Sequence, residues 1–186
     1  NNRKEASLLM GMKKSDFIVI IPARKNSKRL KEKNTMILSG KPLISYSIEY
    51  ALLYFLKENI WINTNDEKVE RIAKSYFIQV YKRKDSLATD KSSTVEVIED
   101  QIMDMESKKI NFTNIIILQP TNPFRNNLNL TKILKLYLSK KLHSLMTVST
   151  ANLKLGTINN NLYEPLNYFQ NRNKFLNKNE VEEWFT

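Results

Sequence analysis

A continuous run of apolar and mostly β-branched residues at positions 17–21 is the feature of this sequence that most limits its fold. Such a run is typical of a strand that is buried on both faces in the centre of a parallel sheet. Pro22 ends the run, because proline cannot donate a hydrogen bond to a neighbouring strand. The sequence therefore predicts an α/β fold in which this strand lies inside the sheet.

A strongly cationic loop follows the strand directly. Its basic side chains are interleaved with hydrogen-bonding residues such as Ser27 and Asn34, and they include Arg24, Lys28, Arg29, Lys31 and Lys33. Because ligands of open α/β sheets bind beyond the carboxyl ends of the strands, we expect this loop to bind phosphate groups. The alternative interpretation is a solvated basic loop that binds nothing.

The loop has neither of the common glycine-rich phosphate-binding motifs. A Walker loop requires Gly-x-x-x-x-Gly-Lys-Ser/Thr, and a dinucleotide-binding fingerprint also requires glycines. Residues 18–34 contain no glycine. We therefore expect side chains to do much of the phosphate binding.

Strand-like and helix-like patterns alternate along the chain. Further strands are predicted at 60–62, 77–81, 115–118 and 145–148, and the fully apolar run at 115–118 is expected to be central. The helices between them are predicted from apolar stripes, which comprise Ile44, Ile48, Ala51, Leu52 and Phe55; Val69, Ile72, Ala73 and Tyr76; Val95, Ile98, Ile102 and Met105; and Leu130, Ile133, Leu134, Tyr137 and Leu138. This alternation predicts a Rossmann-like, three-layer α/β/α fold with a mostly parallel central sheet.

Local signals predict where several elements begin. Pro42 is expected at or near a helix start, and Asp66 is expected to cap the next helix. One of the hydroxyl residues at 92–94 should cap the helix after that. A hairpin is predicted over residues 154–163, around a turn rich in asparagine.

Composition limits the class of protein. The 186 residues, 41% of them hydrophobic, suffice for one domain, which we expect over 15–186, with 1–14 as a leader or expression remnant. The absence of cysteine excludes disulfides and thiolate metal sites and suits a reducing cytoplasm, where we place the protein. The single histidine, His143, excludes a multi-histidine metal site within one chain. No apolar run approaches the ~20 residues of a membrane span, so we expect no membrane partner.

The formal net charge of +11 is compatible with a nucleic-acid-binding domain. However, the lysines are spread along the whole chain and form no stripe. Aromatic residues such as Tyr46, Tyr50 and Tyr54 lie in a predicted helix with a core-facing stripe, and so do not read as a platform for stacking bases. We therefore expect an anionic small substrate and no nucleic-acid partner.

The loop after the first strand resembles the signature of the acylneuraminate cytidylyltransferases, the CMP-sialic acid synthetase family. That signature comprises Pro-Ala-Arg, then Ser-Lys, then Lys-Asn, and these stand here at 22–24, 27–28 and 33–34. The related synthetases for the eight-carbon acid Kdo usually close this loop differently. The pair Lys33-Asn34 therefore favours the branch that acts on nine-carbon sugars.

Two further segments carry the same resemblance. After the third predicted strand, Arg83 is followed by Leu-Ala-Thr-Asp at 87–90 and by hydroxyl residues at 92–94. After the fourth, residues 119–125 read Gln-Pro-Thr-Asn-Pro-Phe-Arg, which contains every fixed position of the family's Gln-Pro-Thr-x-Pro-x-Arg.

The resemblance implies a nucleotide-diphospho-sugar transferase fold and an enzyme that transfers CMP from CTP to a sialic, legionaminic or pseudaminic type of acid, releasing pyrophosphate. It implies Mg²⁺ as the cofactor, with Asp90 as the candidate ligand, and Arg24, Lys28 and Lys33 as catalytic residues. The nucleotide-binding residues it implies are Ala23, Arg24, Ser27, Lys28, Lys33, Asn34, Arg83, Asp90, Ser92, Ser93 and Thr94. The residues it implies for binding the acidic sugar are Gln119, Thr121, Arg125 and Arg172.

Members of the family continue beyond a Gln-x-Arg stretch, which is matched here at 170–172. They go on to a returning strand, an arm that docks on a partner subunit and an Asp-x-Asp metal element, and we find no counterparts of these in the sequence. We therefore expect a chain that is incomplete relative to the family, with the family's homodimer weakened. Two alternatives stay open, namely an enzyme for another acid such as Kdo and a fragment that binds nucleotide without catalysis.

Overall fold

The computed structural model describes residues 16–25, 27, 30–125, 129–148, 156–159 and 162–165. The chain divides into two compact units, Asn1–Leu136 and Tyr137–Thr186. The first unit contains a four-stranded sheet, and the second contains a two-stranded hairpin.

The sheet of the first unit is parallel throughout. The strands of this unit are β1 (Phe17–Pro22), β2 (Ile37–Leu38), β3 (Lys41–Pro42), β4 (Ile60–Thr64), β5 (Gln79–Lys82) and β6 (Asn114–Ile117). Four of them form the sheet in the order β5-β4-β1-β6, whereas β2 and β3 form a small antiparallel pair. Ile20 of β1 lies opposite Trp61 on one side and Ile117 on the other, which confirms the predicted inner position of β1.

Helices cover both faces of this sheet. They are α1 (Leu43–Leu52), α2 (Glu67–Ser75), α3 (Thr94–Ser107) and α4 (Leu130–Ser139), and short 3-10 turns lie at Lys33–Thr35, Lys57–Asn59 and Asp85–Leu87. One face of β1 packs in a core with residues of α1, α2 and α4. The other face packs in a second core with Ile98 and Met105 of α3. Because β1 is covered on both faces, it has apolar residues at every position from 17 to 21. The predicted three-layer fold is confirmed.

The predicted helix starts are confirmed as well. Pro42 immediately precedes α1. The Asp66 carboxylate accepts a hydrogen bond of 2.9 Å from the Lys68 backbone N–H at the start of α2. At α3, Ser93 and Glu96 form a capping box, in which each side chain accepts from the other residue's backbone N–H.

Helices α2 and α3 end in Schellman motifs that contain no glycine. Phe77 follows α2 with φ 58°, and Lys109 follows α3 with φ 56°. In α2 the Phe77 N–H donates to the Lys74 carbonyl and the Ile78 N–H donates to the Ala73 carbonyl, both at 3.0 Å. The predicted strand at 77–81 therefore begins too early. Phe77 belongs to the end of α2 and is 74% exposed, and β5 begins at Gln79.

Two further predictions about strands are wrong. Among the described residues β6 is an edge strand of the sheet, not a central one. Its apolar run has another cause, because Ile116 packs in the core on one face and Ile115 packs in the core on the other. Residues 145–148 form no strand, and Met146 and Val148 are 81% and 52% exposed, so this segment buries little apolar surface.

The second unit contains the predicted hairpin. Strands β7 (Gly156–Asn159) and β8 (Leu162–Pro165) pair antiparallel, with Ile158 opposite Tyr163. Among the described residues of the chain, no helix has the length and apolar character needed to cross a membrane.

Candidate functional site

A polar cleft with a volume of about 190 Å³ lies at the carboxyl ends of the sheet strands. Three segments that are far apart in sequence meet there: the loop after β1, the segment from the end of β5 to the start of α3, and the loop after β6. The lining residues are Pro22, Arg24, Ser27, Lys33, Asn34, Arg83, Ser92, Ser93, Thr94, Val97, Gln119, Pro120 and Thr121. These are the segments whose motifs the sequence singled out.

Buried hydrogen bonds fix the backbone of the loop after β1. The Ala23 N–H donates to the Asn63 carbonyl at 2.9 Å, and the Thr64 hydroxyl donates to the Ala23 carbonyl at 2.6 Å. The Asn34 amide donates to the Arg24 carbonyl at 3.1 Å. Ala23 is 1% exposed and Asn34 is 6% exposed, so both residues hold the loop in place.

The Arg24 guanidinium bridges this loop to the segment before α3. Its Nη2 donates to Asp90 Oδ1 at 2.5 Å, and its Nη1 donates to the Ala88 carbonyl at 3.5 Å. Both side chains of the ion pair are about one-third exposed. Asp90 is not among the residues that line the cleft and is the charge partner of Arg24, and its predicted role in nucleotide binding stays a prediction.

Arg83 is a nearly buried cation at the base of the cleft. Its Nε donates to Asn63 Oδ1 at 2.6 Å, and its Nη2 donates to the Asn63 carbonyl at 3.2 Å. Burial and, secondarily, the charge of Arg24 lower the pKa of Arg83 to about 10. Arg83 stays protonated at neutral pH, so the cleft contains a cation that burial makes costly and that an anionic ligand would stabilise.

The amino terminus of α3 brings the three predicted hydroxyl residues to the cleft. Two of the hydroxyls have partners within the chain, because Ser93 caps the helix and Ser92 Oγ lies 2.8 Å from Thr89 Oγ1. The positive end of the helix dipole points into the same region. The Glu96 carboxylate also lies at this helix end, where hydrogen bonds from Ser93 lower its pKa.

Gln119 and Thr121 line the cleft on the side of β6, whereas Arg125 is not among the lining residues. Arg125 is 6% exposed, and it donates through Nη1 to the Ser47 hydroxyl at 3.0 Å and through Nη2 to the Gln119 carbonyl at 2.5 Å. Through these two hydrogen bonds Arg125 positions the Gln119 loop, and its predicted role in binding the sugar stays a prediction.

Two predicted site residues, Lys28 and Arg172, lie outside the described residues. Lys33 lines the cleft, as predicted. The described part of the chain holds no group of three or more acidic, histidine or cysteine side chains placed to bind a metal ion. Asp90 is paired with Arg24, and its predicted role as a magnesium ligand stays a prediction.

Sequence reasoning missed a buried polar network beneath the cleft. Asn63 and Gln101 are both 0% exposed, and the Asn63 amide donates to Gln101 Oε1 at 2.8 Å. The available signal was a helical spacing, since Val97, Gln101 and Met105 follow one another at four-residue intervals on the buried side of α3. A glutamine between two apolar residues on that face is the kind of buried polar group that needs a partner.

Comparison with known proteins places these motifs in context. A sequence profile of the family described as Cytidylyltransferase matches residues 18–180. The N-acylneuraminate cytidylyltransferase of Escherichia coli O18:K1:H7 (strain RS218 / NMEC) is 33% identical over 173 residues, which are 92% of this chain and 40% of that protein. The CMP-N,N'-diacetyllegionaminic acid synthase of Legionella pneumophila is 37% identical over 110 residues, which are 59% of this chain and 47% of that protein.

A third relative is similar in sequence, and a solved structure is similar in fold. The pseudaminic acid cytidylyltransferase of Campylobacter jejuni is 34% identical over 110 residues, with 59% of this chain and 47% of that protein covered. The structure of CMP:2-keto-3-deoxy-manno-octonic acid synthetase complexed with CTP superposes with a TM-score of 0.54 at 23% identity, covering 68% of this chain and 48% of that chain. This likeness supports the fold. The chain spans less than half the length of the three curated relatives. The profile match, over most of the chain and all three cleft-lining segments, shows that this chain belongs to the cytidylyltransferase family.

Proposed function

We propose that the cleft binds CTP and that the chain takes part in transferring CMP to a nine-carbon acidic sugar, of the sialic, legionaminic or pseudaminic type. The observation that carries this proposal is the convergence of three separate cationic or polar segments on one cleft. Arg24, Lys33 and Arg83 give that cleft a positive character that suits a triphosphate. The names of the curated relatives support the choice of cytidine and of this class of acid.

The proposed reaction is a single displacement at the α-phosphorus of CTP. The anomeric hydroxyl oxygen of the sugar forms a bond to that phosphorus, and its proton passes to solvent. The bond between the α-phosphorus and the oxygen that bridges to the β-phosphate breaks, and pyrophosphate leaves with the electron pair. The protein's tasks are therefore to align the two reactants and to stabilise the charge that develops on the leaving phosphates.

Each side of the cleft suits one part of this reaction. Arg24 and Lys33 would bind the triphosphate, and Lys28 stays a proposed third cation for the same task. Arg83 and the amino terminus of α3 would bind the cytidine side. Gln119 and Thr121 would contact the sugar. Mg²⁺ would be held mainly by the phosphates of CTP and by water, since the described residues contain no group of three protein ligands for it.

Pyrophosphate release from CTP tests the proposal. The chain is mixed with CTP and Mg²⁺, and N-acetylneuraminate, legionaminic, pseudaminic or Kdo acid is added in turn. We expect release with one of the three nine-carbon acids and none with Kdo. Release with Kdo alone would support the eight-carbon alternative, and CTP binding without any release would support a chain that binds nucleotide but does not catalyse.

A further inference from the structure

Arg83 is held by a chain of neutral groups in which every side chain is buried. Asn63 accepts from Arg83 through both its side-chain oxygen and its backbone carbonyl. The Asn63 amide nitrogen in turn donates to Gln101 Oε1 at 2.8 Å and to the Val97 carbonyl at 3.4 Å. Arg83 is 8% exposed, and Asn63 and Gln101 are fully buried.

The Arg83 guanidinium sets the donor and acceptor in each side-chain hydrogen bond of this network. Arginine can only donate hydrogen bonds, so the Asn63 side chain must present its oxygen to Arg83 Nε. The Asn63 nitrogen must then face Gln101, which must present its oxygen in return. This order leaves Gln101 Nε2 as a buried nitrogen without a hydrogen-bond partner among the described residues. Such a group costs about 1–3 kcal/mol, so its presence calls for an explanation.

The hydrogen-bond network around Arg83 also leaves one of its three nitrogens available to a ligand. Its third nitrogen, Nη1, makes no hydrogen bond among the described residues, yet it is not one of the buried atoms that lack a partner there. Arg83 lines the cleft, so Nη1 is the nitrogen that a ligand can reach. Within the described part of the chain, no carboxylate lies within ion-pair distance of Arg83, whereas Arg24 beside it is paired with Asp90.

We propose that Asn63 and Gln101 are positioning residues for nucleotide binding, which hold Arg83 with neutral acceptors so that its charge and its Nη1 donor are kept for the bound nucleotide. This inference rests on the proposed function. It explains the unpartnered Gln101 nitrogen, because a carboxylate at position 63 would give that nitrogen an acceptor but would also neutralise Arg83. The lowered pKa of Arg83 agrees with a buried cation that the protein has not paired.

The variant Asn63→Asp tests this directly, because it replaces the amide with a carboxylate of the same shape. Gln101 can rotate its amide so that the unpartnered nitrogen donates to the new carboxylate, and we therefore expect the melting temperature to stay the same or rise. We expect the dissociation constant for CTP, measured by calorimetry, to increase about tenfold or more, as is found when a charge partner in a binding site is lost. Asn114→Asp is the matched control, since it adds the same charge at the opposite end of the sheet, and its CTP affinity should stay within about twofold of wild type.

A second pair of variants keeps the proposal testable if Asn63→Asp does not fold. Gln101→Glu adds a charge and Gln101→Met adds none, although both remove the amide. We expect CTP affinity to fall much further in Gln101→Glu than in Gln101→Met, whatever the order of their melting temperatures. A purely structural role would instead make affinity follow stability.

The outcomes distinguish CTP binding by the cleft from the positioning of Arg83 by Asn63 and Gln101. Wild-type chain that fails to bind CTP would overturn the proposed function and this inference together. CTP binding by wild type, with unchanged affinity in Asn63→Asp or in Gln101→Glu, would overturn the inference alone. Failure of both carboxylate variants to fold would show that the network serves folding, and would also count against the inference.

Discussion

Arg24 Nη2 donates a hydrogen bond of 2.5 Å to Asp90 Oδ1, and this ion pair joins two loops that lie 66 residues apart in sequence. In the structure the carboxylate occupies part of the guanidinium that we assign to the triphosphate. Phosphate groups and Asp90 therefore compete for Arg24.

We expect Asp90→Asn to strengthen CTP binding. The asparagine oxygen can still accept a hydrogen bond, but the competing negative charge is lost. Because both partners are about one-third exposed, the pair is worth roughly 0.2–1 kcal/mol, which corresponds to an affinity gain of up to about fivefold. Asp85→Asn is the control, since Asp85 bonds Asn65 and makes no ion pair with Arg24 among the described residues. Weaker CTP binding in Asp90→Asn would mean that Asp90 positions Arg24 and does not compete with the ligand.

Removal of Arg24 itself should weaken CTP binding. Arg24→Ala removes a charge-assisted contact to phosphate, so we expect CTP affinity to fall about ten- to hundredfold. Lys31→Ala removes the same charge from an exposed position in the same loop and should change affinity by no more than about twofold. Similar losses in both variants, measured by calorimetry, would indicate a diffuse positive field instead of a defined contact.

The sequence predicted the cleft well because short motifs at the ends of parallel strands meet at one edge of the sheet. It did not predict how individual side chains divide their hydrogen bonds. Arg125 matches a family motif, but its partners are the Ser47 hydroxyl and the Gln119 carbonyl, and Ser47 lies on helix α1. A contact across 78 residues of sequence leaves no local signal.

The same limit explains the errors in the fold. An apolar run shows that a strand is covered on both faces, but it does not show which strands pair with it. For this reason β6 was predicted to be central, although it is an edge strand among the residues that the structure describes. The start of β5 was misplaced because Phe77 occupies the left-handed conformation that usually calls for glycine. Phenylalanine is common in strands, so the sequence pattern placed Phe77 in the strand and not at the end of the helix.

Arg125→Lys should therefore affect stability and acceptor binding more than CTP binding. Lysine cannot donate to the Ser47 hydroxyl and the Gln119 carbonyl at once with the fork geometry of arginine. We expect a loss of about 1–3 kcal/mol in the free energy of unfolding, measured with urea. In the pyrophosphate-release assay KM for the sugar should rise while KM for CTP changes little. An equal rise in both would place Arg125 in nucleotide binding.

The helix ends offer a test that is independent of function. Lys109 has φ 56° at the end of α3, a conformation that costs a non-glycine residue roughly 1–2 kcal/mol. We expect Lys109→Gly to stabilise the chain by about 1 kcal/mol, after the entropy cost of glycine is counted. The neighbouring variant Lys108→Gly should destabilise it, because Lys108 has φ −88° and its ammonium group pairs with Asp104. Thermal unfolding of the two variants measures whether each change raises or lowers stability. A destabilised Lys109→Gly would show that the motif gains nothing from glycine.

The most direct test of whether the cleft is specific for cytidine is a thermal-shift comparison of CTP, UTP, ATP and GTP at equal concentration with Mg²⁺. A ligand that binds only the folded chain stabilises it by RT ln(1 + [L]/Kd), so the tightest nucleotide gives the largest shift. We expect CTP to raise the melting temperature more than any of the other three nucleotides. Equal shifts from all four nucleotides would contradict it, because the cleft would then bind only the phosphates that they share.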